Sequence, residues 1–104
     1  MIRTHLILTG AVQNFIAADD VFKAAKAAMH ADFRERWGDR DVRDIDHSAY
    51  PAYIEAEDRR VDTQRYLSLV ADALGGHELE NKVCTMSRAR VWADAYINLE
   101  PEDA

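Results

Sequence analysis

The chain has 104 residues, of which 48% are hydrophobic and 31% charged, and its formal net charge is -6. This length predicts a single domain spanning 1–104, and the composition excludes an intrinsically disordered chain. The excess of acidic over basic side chains argues against charge-driven binding to nucleic acid or to an anionic membrane. It is compatible with a partner protein that has a basic surface.

The sequence predicts a cytoplasmic protein with no membrane partner. It has no apolar run long enough to span a bilayer, and the apolar stretch in MIRTHLILTG is too short for the hydrophobic region of a signal peptide. The single cysteine, Cys84, excludes an intramolecular disulfide and fits a reducing compartment. In the absence of catalytic neighbours, we expect Cys84 to be a small buried hydrophobe.

The N-terminal segment is predicted to be a strand. Ile2 to Thr9 is apolar and rich in β-branched residues. Thr9 and Gly10 could turn the chain into a second strand over 11–18, which would make a hairpin. Alternatively, Val12 and Phe15 begin a helix, because the alternation in this second stretch is poor.

The next element is predicted to be a helix that starts at an N-cap, Asp19 or Asp20, and ends at Gly38. Its apolar residues recur at spacings of three and four and form one stripe: Phe22, Ala25, Met29, Phe33 and Trp37.

A charged connection over Asp39 to His47 is followed by a second predicted helix, with Ser48 as the cap and Pro51 in the first turn. The periodicity weakens over 60–63, where Asp62 could cap a separate helix that ends at the glycine pair 75–76.

The last predicted element starts near His77 and fits a helix in which Arg90 interrupts the apolar stripe. The residues from Val91 to Leu99 also alternate as a strand would. Pro101 stops either element and leaves a frayed tail. The predicted fold class is therefore α+β and mainly helical, a strand or hairpin followed by about three helices, with an all-α fold as the alternative.

No cofactor is predicted, and the metal-site candidates are weak. Asp44, Asp46 and His47 lie close together on the predicted connection, and their oxygen and imidazole ligands could hold a divalent cation. Capping and solvation of the loop explain the same residues, and Arg40 and Arg43 would compete for the carboxylates.

Aromatic residues in the C-terminal two-thirds predict a surface that binds another protein. Tyr, Trp and Arg dominate protein–protein hot spots, and Tyr and Trp bury much area with few rotatable bonds. The candidate partner-binding residues are Tyr50, Tyr53, Tyr66, Arg90, Trp92 and Tyr96. Each of them could instead close a small core with its polar end in water.

The leading functional hypothesis is a non-catalytic interaction protein: a regulator, an inhibitor or an assembly component. The Ala-, Asp- and Arg-rich composition would suit a phage or mobile-element protein, and an acidic helical protein could also imitate nucleic acid. One alternative is a small metal-assisted enzyme that uses the loop Asp44 to His47. Another is a structural homo-oligomer, such as a dimer with the aromatic residues at its interface.

Overall fold

The computed structural model describes residues 2–99, and their side chains from residue 6 onwards. This range contains three α-helices and no strand: α1, Ile2–Trp37; α2, Pro51–Val83; and α3, Met86–Ile97. Two single-turn 3₁₀ helices, Val42–Asp44 and His47–Ala49, connect α1 to α2. The fold is thus mainly helical as predicted, but the all-α alternative holds and the α+β assignment is wrong.

The predicted N-terminal strand and hairpin belong to α1. The residues Ala11, Phe15, Ala18 and Phe22 are buried at spacings of three and four, which continues the predicted stripe toward the N-terminus. Packing of this long stripe overrides the local β-propensity of the first residues. Asp19 is consequently not an N-cap and lies in the middle of a 36-residue helix.

The predicted end of α1 is confirmed. Gly38 has a φ of 57°, a left-handed conformation that favours glycine, and its N–H donates to the carbonyl of Arg34 at 2.9 Å. Pro51 lies in the first turn of α2 as predicted, but Ser48 does not cap that helix. The backbone N–H of Ser48 instead donates to the side chain of Asp46, which caps the second 3₁₀ turn.

No helix break occurs near Asp62, because α2 continues through this region. The hydroxyl of Thr63 donates to the carbonyls of Arg59 and Arg60, so it bonds within the helix.

Instead, α2 bends at Gly76, where the backbone has φ 68° and ψ -165°. The bend is sharp enough that Gln64 Nε2 donates to the carbonyl of Val83, 19 residues later, at 2.7 Å. In a straight helix, residues that far apart would be separated by about 28 Å. The predicted helix end at the glycine pair therefore corresponds to a change of direction, after which helix resumes as far as Val83.

We expect Gly76→Ala to lower the free energy of unfolding by about 1–2 kcal/mol, because only glycine adopts this backbone conformation without strain. The matched control is Gly10→Ala. Gly10 lies within α1, and a Cβ added there would meet no atom within 4 Å. This control should raise stability by about 0.5–1 kcal/mol. Urea unfolding measures the free energy of unfolding of both variants. Equal changes in the two would contradict a bend that requires glycine at position 76.

The last described segment is a helix, and the strand alternative over Val91 to Leu99 is wrong. The hydroxyl of Thr85 caps α3 by accepting from the N–H of Arg88 at 3.3 Å. Ala89 and Ala93, four residues apart, are fully buried on one side of α3, whereas Val91 is 72% exposed. Pro101 and the predicted frayed tail lie outside the described residues.

Most of the buried side chains within residues 6–99 form two clusters along α1. The first is built by all three helices: Ala11, Val12, Phe15, Leu67, Val70, Ala71, Val83, Ala89 and Ala93. The second joins α1, the connection and the start of α2: Phe22, Met29, Phe33, Ile45, Tyr53 and Ala56. Cys84 belongs to neither and is exposed, so the prediction that it is buried is wrong.

None of the helices, as far as they are described over residues 2–99, is both long enough and apolar enough to cross a bilayer.

Candidate functional site

Two of the predicted partner-binding tyrosines hold the connection against the helices. Tyr53 is buried, with its ring centroid 5.4 Å from that of Phe22 and 4.9 Å from that of His47. Tyr50 is half-buried and donates from its hydroxyl to Asp32 Oδ2 at 2.7 Å. This hydrogen bond and a second one from Arg36 lower the pKa of the Asp32 carboxyl. Both tyrosines therefore have partners within the fold.

Trp92 and Tyr96 lie on α3 beside the first cluster. Their rings are stacked with centroids 5.1 Å apart, and both side chains are half-buried. The Tyr96 hydroxyl is 3.0 Å from Thr9 Oγ1, which ties α3 to the first part of α1. One side of each ring therefore packs against the rest of the protein.

Arg90 lies at the centre of an ion network that joins α1 and α3. Its guanidinium is 2.7 Å from both Asp19 and Asp20, and 2.8 Å from Asp94. The hydrogen bond to Asp20, followed by those to Asp19 and Asp94, raises the pKa of Arg90 despite its partial burial. Arg90 is therefore engaged by three carboxylates of its own chain.

Asp19 is the buried anion of this network, with 1% of its side chain exposed. Its carboxylate is 2.7 Å from Lys23 Nζ and 2.8 Å from Arg60 Nε. The Arg60 guanidinium also lies over the Phe22 ring at 4.2 Å. Burial raises the pKa of Asp19, but the hydrogen bonds from Lys23 and Arg90 and the nearby charges outweigh it, so the pKa is lowered. One carboxylate thereby connects all three helices.

Tyr66 differs from the other predicted aromatics because 52% of it is exposed and it lines an open groove. This groove, here called the α1–α2 groove, has a volume of about 780 Å³. Its lining residues are Asn14, Val21, Ala52, Glu55, Ala56, Asp58, Arg59, Asp62, Thr63 and Tyr66. Sequence reasoning identified Tyr66 but missed the groove, because its two sides come from distant parts of the chain.

The α1–α2 groove lies along an edge of α1 that α3 does not cover. Asn14 and Val21 are two turns apart and share one side of α1. The polar contacts of α3 with α1 are made by different residues, Thr9, Asp19 and Asp20. A helix of another molecule could therefore lie against α1 and α2 without displacing α3.

The α1–α2 groove combines apolar surface with uncompensated negative charge. Val21 is 57% exposed on the α1 side. The α2 side carries Glu55, Asp58 and Asp62 against a single cation, Arg59. Within residues 6–99, none of these four charged side chains is in an ion pair. The groove is thus suited to a ligand that supplies both apolar side chains and positive charge.

The weak metal candidates lie at the far end of α1, in the connection. Asp46 Oδ1 accepts from both the N–H and the hydroxyl of Ser48, at 3.1 Å and 2.6 Å. Asp44 ends the first 3₁₀ turn and is exposed, and His47 packs against Tyr53. In the part of the chain whose side chains are described, no three Asp, Glu, His or Cys residues are grouped so that they could hold a metal ion.

Comparison with known proteins finds no family model, no curated protein and no solved structure that matches this chain.

Proposed function

We propose that this protein is a non-catalytic interaction protein whose α1–α2 groove binds a helix of a partner protein. The observation that carries the proposal is the pairing of exposed Val21 and Tyr66 with three carboxylates that form no ion pair within residues 6–99. The proposed partner segment is amphipathic, with apolar side chains on one face and Lys or Arg beside them. A regulator, an inhibitor or an assembly component would all act through such a contact.

The two kinds of groove residue would contribute differently to binding. An amphipathic helix that lies in a groove is held by apolar side chains at spacings of three, four and seven. Tyr66 is the expected anchor for them, because a tyrosine buries a large area at little rotational cost. Asp58 and Asp62 would orient the helix and accelerate association with a basic segment rather than supply most of the affinity.

The proposal includes a cytoplasmic setting. Cys84 is the single cysteine of the chain and is exposed as a free thiol, which is typical of proteins in a reducing compartment.

The direct test is an NMR titration of the ¹⁵N-labelled protein with two synthetic amphipathic helical peptides. Both carry leucines on one face, and they differ only in that the flanking positions are Lys in one and Glu in the other. We expect the Lys peptide to shift the amides of Asn14, Val21, Asp62 and Tyr66, and the Glu peptide to shift them far less. Shifts located elsewhere, or equal responses to both peptides, would refute the proposal.

We expect Tyr66→Ala to weaken binding of the Lys peptide about 30-fold, because truncation of an aromatic anchor costs about 2 kcal/mol. The matched control is Leu69→Ala, which removes a side chain that is 70% exposed on the same helix but outside the α1–α2 groove. Isothermal titration calorimetry measures both variants. Similar losses in the two would show that the binding surface is not the groove.

A further inference from the structure

The outward side of α3 carries a second unpartnered surface of opposite charge. A shallow depression of about 650 Å³ is lined by Asn81, Lys82, Ser87, Arg88, Val91, Trp92 and Ala95. These residues are here called the outer α3 face. Val91 is 72% exposed, and within the described residues neither Lys82 nor Arg88 is in an ion pair. The guanidinium of Arg88 donates a hydrogen bond to the carbonyl of Asn81 at 3.4 Å.

The outer α3 face has the features expected of a ligand for the α1–α2 groove. Arg88, Val91 and Ala95 recur at spacings of three and four, so they share one side of a regular helix. The opposite side of α3 is held in the fold by Ala89 and Ala93, which are fully buried. The chain therefore presents, on its own surface, a helix with Arg88 beside the apolar Val91 and Ala95, and Lys82 at the end of α2 lines the same depression.

We propose that the outer α3 face of one copy docks into the α1–α2 groove of a second copy. The proposal rests on the groove being a protein-binding surface, as proposed above, and it names a second copy of this chain as an occupant. Lys82 and Arg88 would lie against Asp58 and Asp62, and Val91 would contact Tyr66. A chain cannot make this contact with itself, because Arg90 and Tyr96 hold α3 to the other side of α1.

This contact is head-to-tail, because it joins two different surfaces. A single short helix buries less area than a stable protein–protein interface requires, so the association is weak and transient. It would also compete with any partner for the α1–α2 groove. As the total protein concentration rises, a larger fraction of grooves would be occupied by a second copy, so a smaller fraction would be free for a partner.

Sedimentation equilibrium on the full chain tests this proposal. We expect the weight-average mass of the wild type to rise above that of a monomer between about 10 μM and about 1 mM, the range of weak interfaces. Two charge-reversal variants should stay monomeric over the same range. One is Lys82→Glu with Arg88→Glu on the outer α3 face, and the other is Asp58→Lys with Asp62→Lys in the groove.

An equimolar mixture of these two variants should associate again, because each then presents a surface that complements the other's altered one. All four substituted residues are exposed, and circular dichroism confirms that the variants fold. A wild type that stays monomeric would overturn the proposal. So would a variant that associates as the wild type does, or a mixture that fails to associate.

The peptide titration separates this proposal from the proposed function. The outer-face variant retains an unaltered groove and should bind the Lys peptide as the wild type does at protein concentrations where the wild type is monomeric. Peptide binding by a wild type that is monomeric at every concentration would overturn self-docking alone. A groove that binds neither the peptide nor a second copy would overturn both.

Discussion

Replacement of Phe15 by alanine is expected to lower the free energy of unfolding by about 3–5 kcal/mol, the range for a phenylalanine in a packed core. Phe15 is fully buried in the first cluster, where residues of α1, α2 and α3 meet. The surrounding helices cannot close the resulting void without moving against one another. A domain of this size has about 5–15 kcal/mol of stability in total, so the variant should lose a large share of its stability.

Thermal and urea unfolding measure this effect, with Leu69→Ala as the control. Leu69 is an apolar residue of similar size that is 70% exposed, so its truncation should change stability by less than about 0.5 kcal/mol. A loss of less than about 1 kcal/mol for Phe15→Ala would show that the three helices do not meet at this residue.

Asp19→Asn is expected to lower the free energy of unfolding by about 3 kcal/mol, at the lower end of the range for a broken buried ion pair. The amide retains the shape of the carboxylate but leaves Lys23, Arg60 and Arg90 facing a neutral group. Partial exposure of these three cations and the remaining carboxylates around Arg90 limit the loss. Asp20→Asn is the control, because Asp20 contacts the same guanidinium from a side chain that is 60% exposed.

The cost of Asp19→Asn should also depend on pH. The pKa of Asp19 in the folded protein is below the value of about 3.9 in an unfolded chain. Its ionised form therefore contributes full stability above about pH 5, and the contribution is lost as the pH falls through the lower, folded-state pKa. We expect the difference between wild type and variant to be larger at pH 6 than at pH 3. A constant difference would show that the charge of Asp19 does not stabilise the fold.

The sequence predicted the helical elements best where the apolar stripe was regular and its ends carried glycine. Gly38 ends α1 and Gly76 bends α2, and both have a positive φ that favours glycine. The N-terminal strand was wrong because Ile2 to Thr9 has a local preference for strand that the burial of Ala11, Phe15 and Ala18 overrides. Ala11 and Phe15 are buried by residues of α2 and α3, and a local sequence pattern does not contain information about such distant contacts.

The ion network was missed although both of its central residues were noticed. The sequence offers Asp19 or Asp20 as a helix cap, and Arg90 interrupts the last apolar stripe. Asp19 lies four residues after Phe15 and three before Phe22, so it also interrupts a stripe. Two interruptions of opposite charge on different apolar stripes are a signal that the residues pair inside the fold. That signal appears only once α1 is recognised as one helix.

The six predicted partner-binding residues have different surroundings in the fold, and these surroundings are set by residues that are distant in the sequence. Tyr50 and Tyr53 support the connection, whereas Arg90 and Tyr96 fasten α3 to α1. Tyr66 lines the α1–α2 groove, and Trp92 lines the outer α3 face. The residue types indicated where binding could occur, but the charge around each site depends on which helices lie side by side.

The buried side of α3 also determines how precisely that helix is placed. Ala89 and Ala93 let α3 approach α1 and α2 closely, but a methyl group offers little that could interlock with a neighbouring helix. Directional contacts, those of Arg90 with Asp19 and of Tyr96 with Thr9, therefore define the position of α3 along its axis. An enlarged alanine would push α3 away from its neighbours, whereas loss of a directional contact would allow the helix to slide. Enlargement of Ala89 or Ala93 therefore changes the distance between α3 and its neighbours, whereas loss of a directional contact changes the position of α3 along its axis.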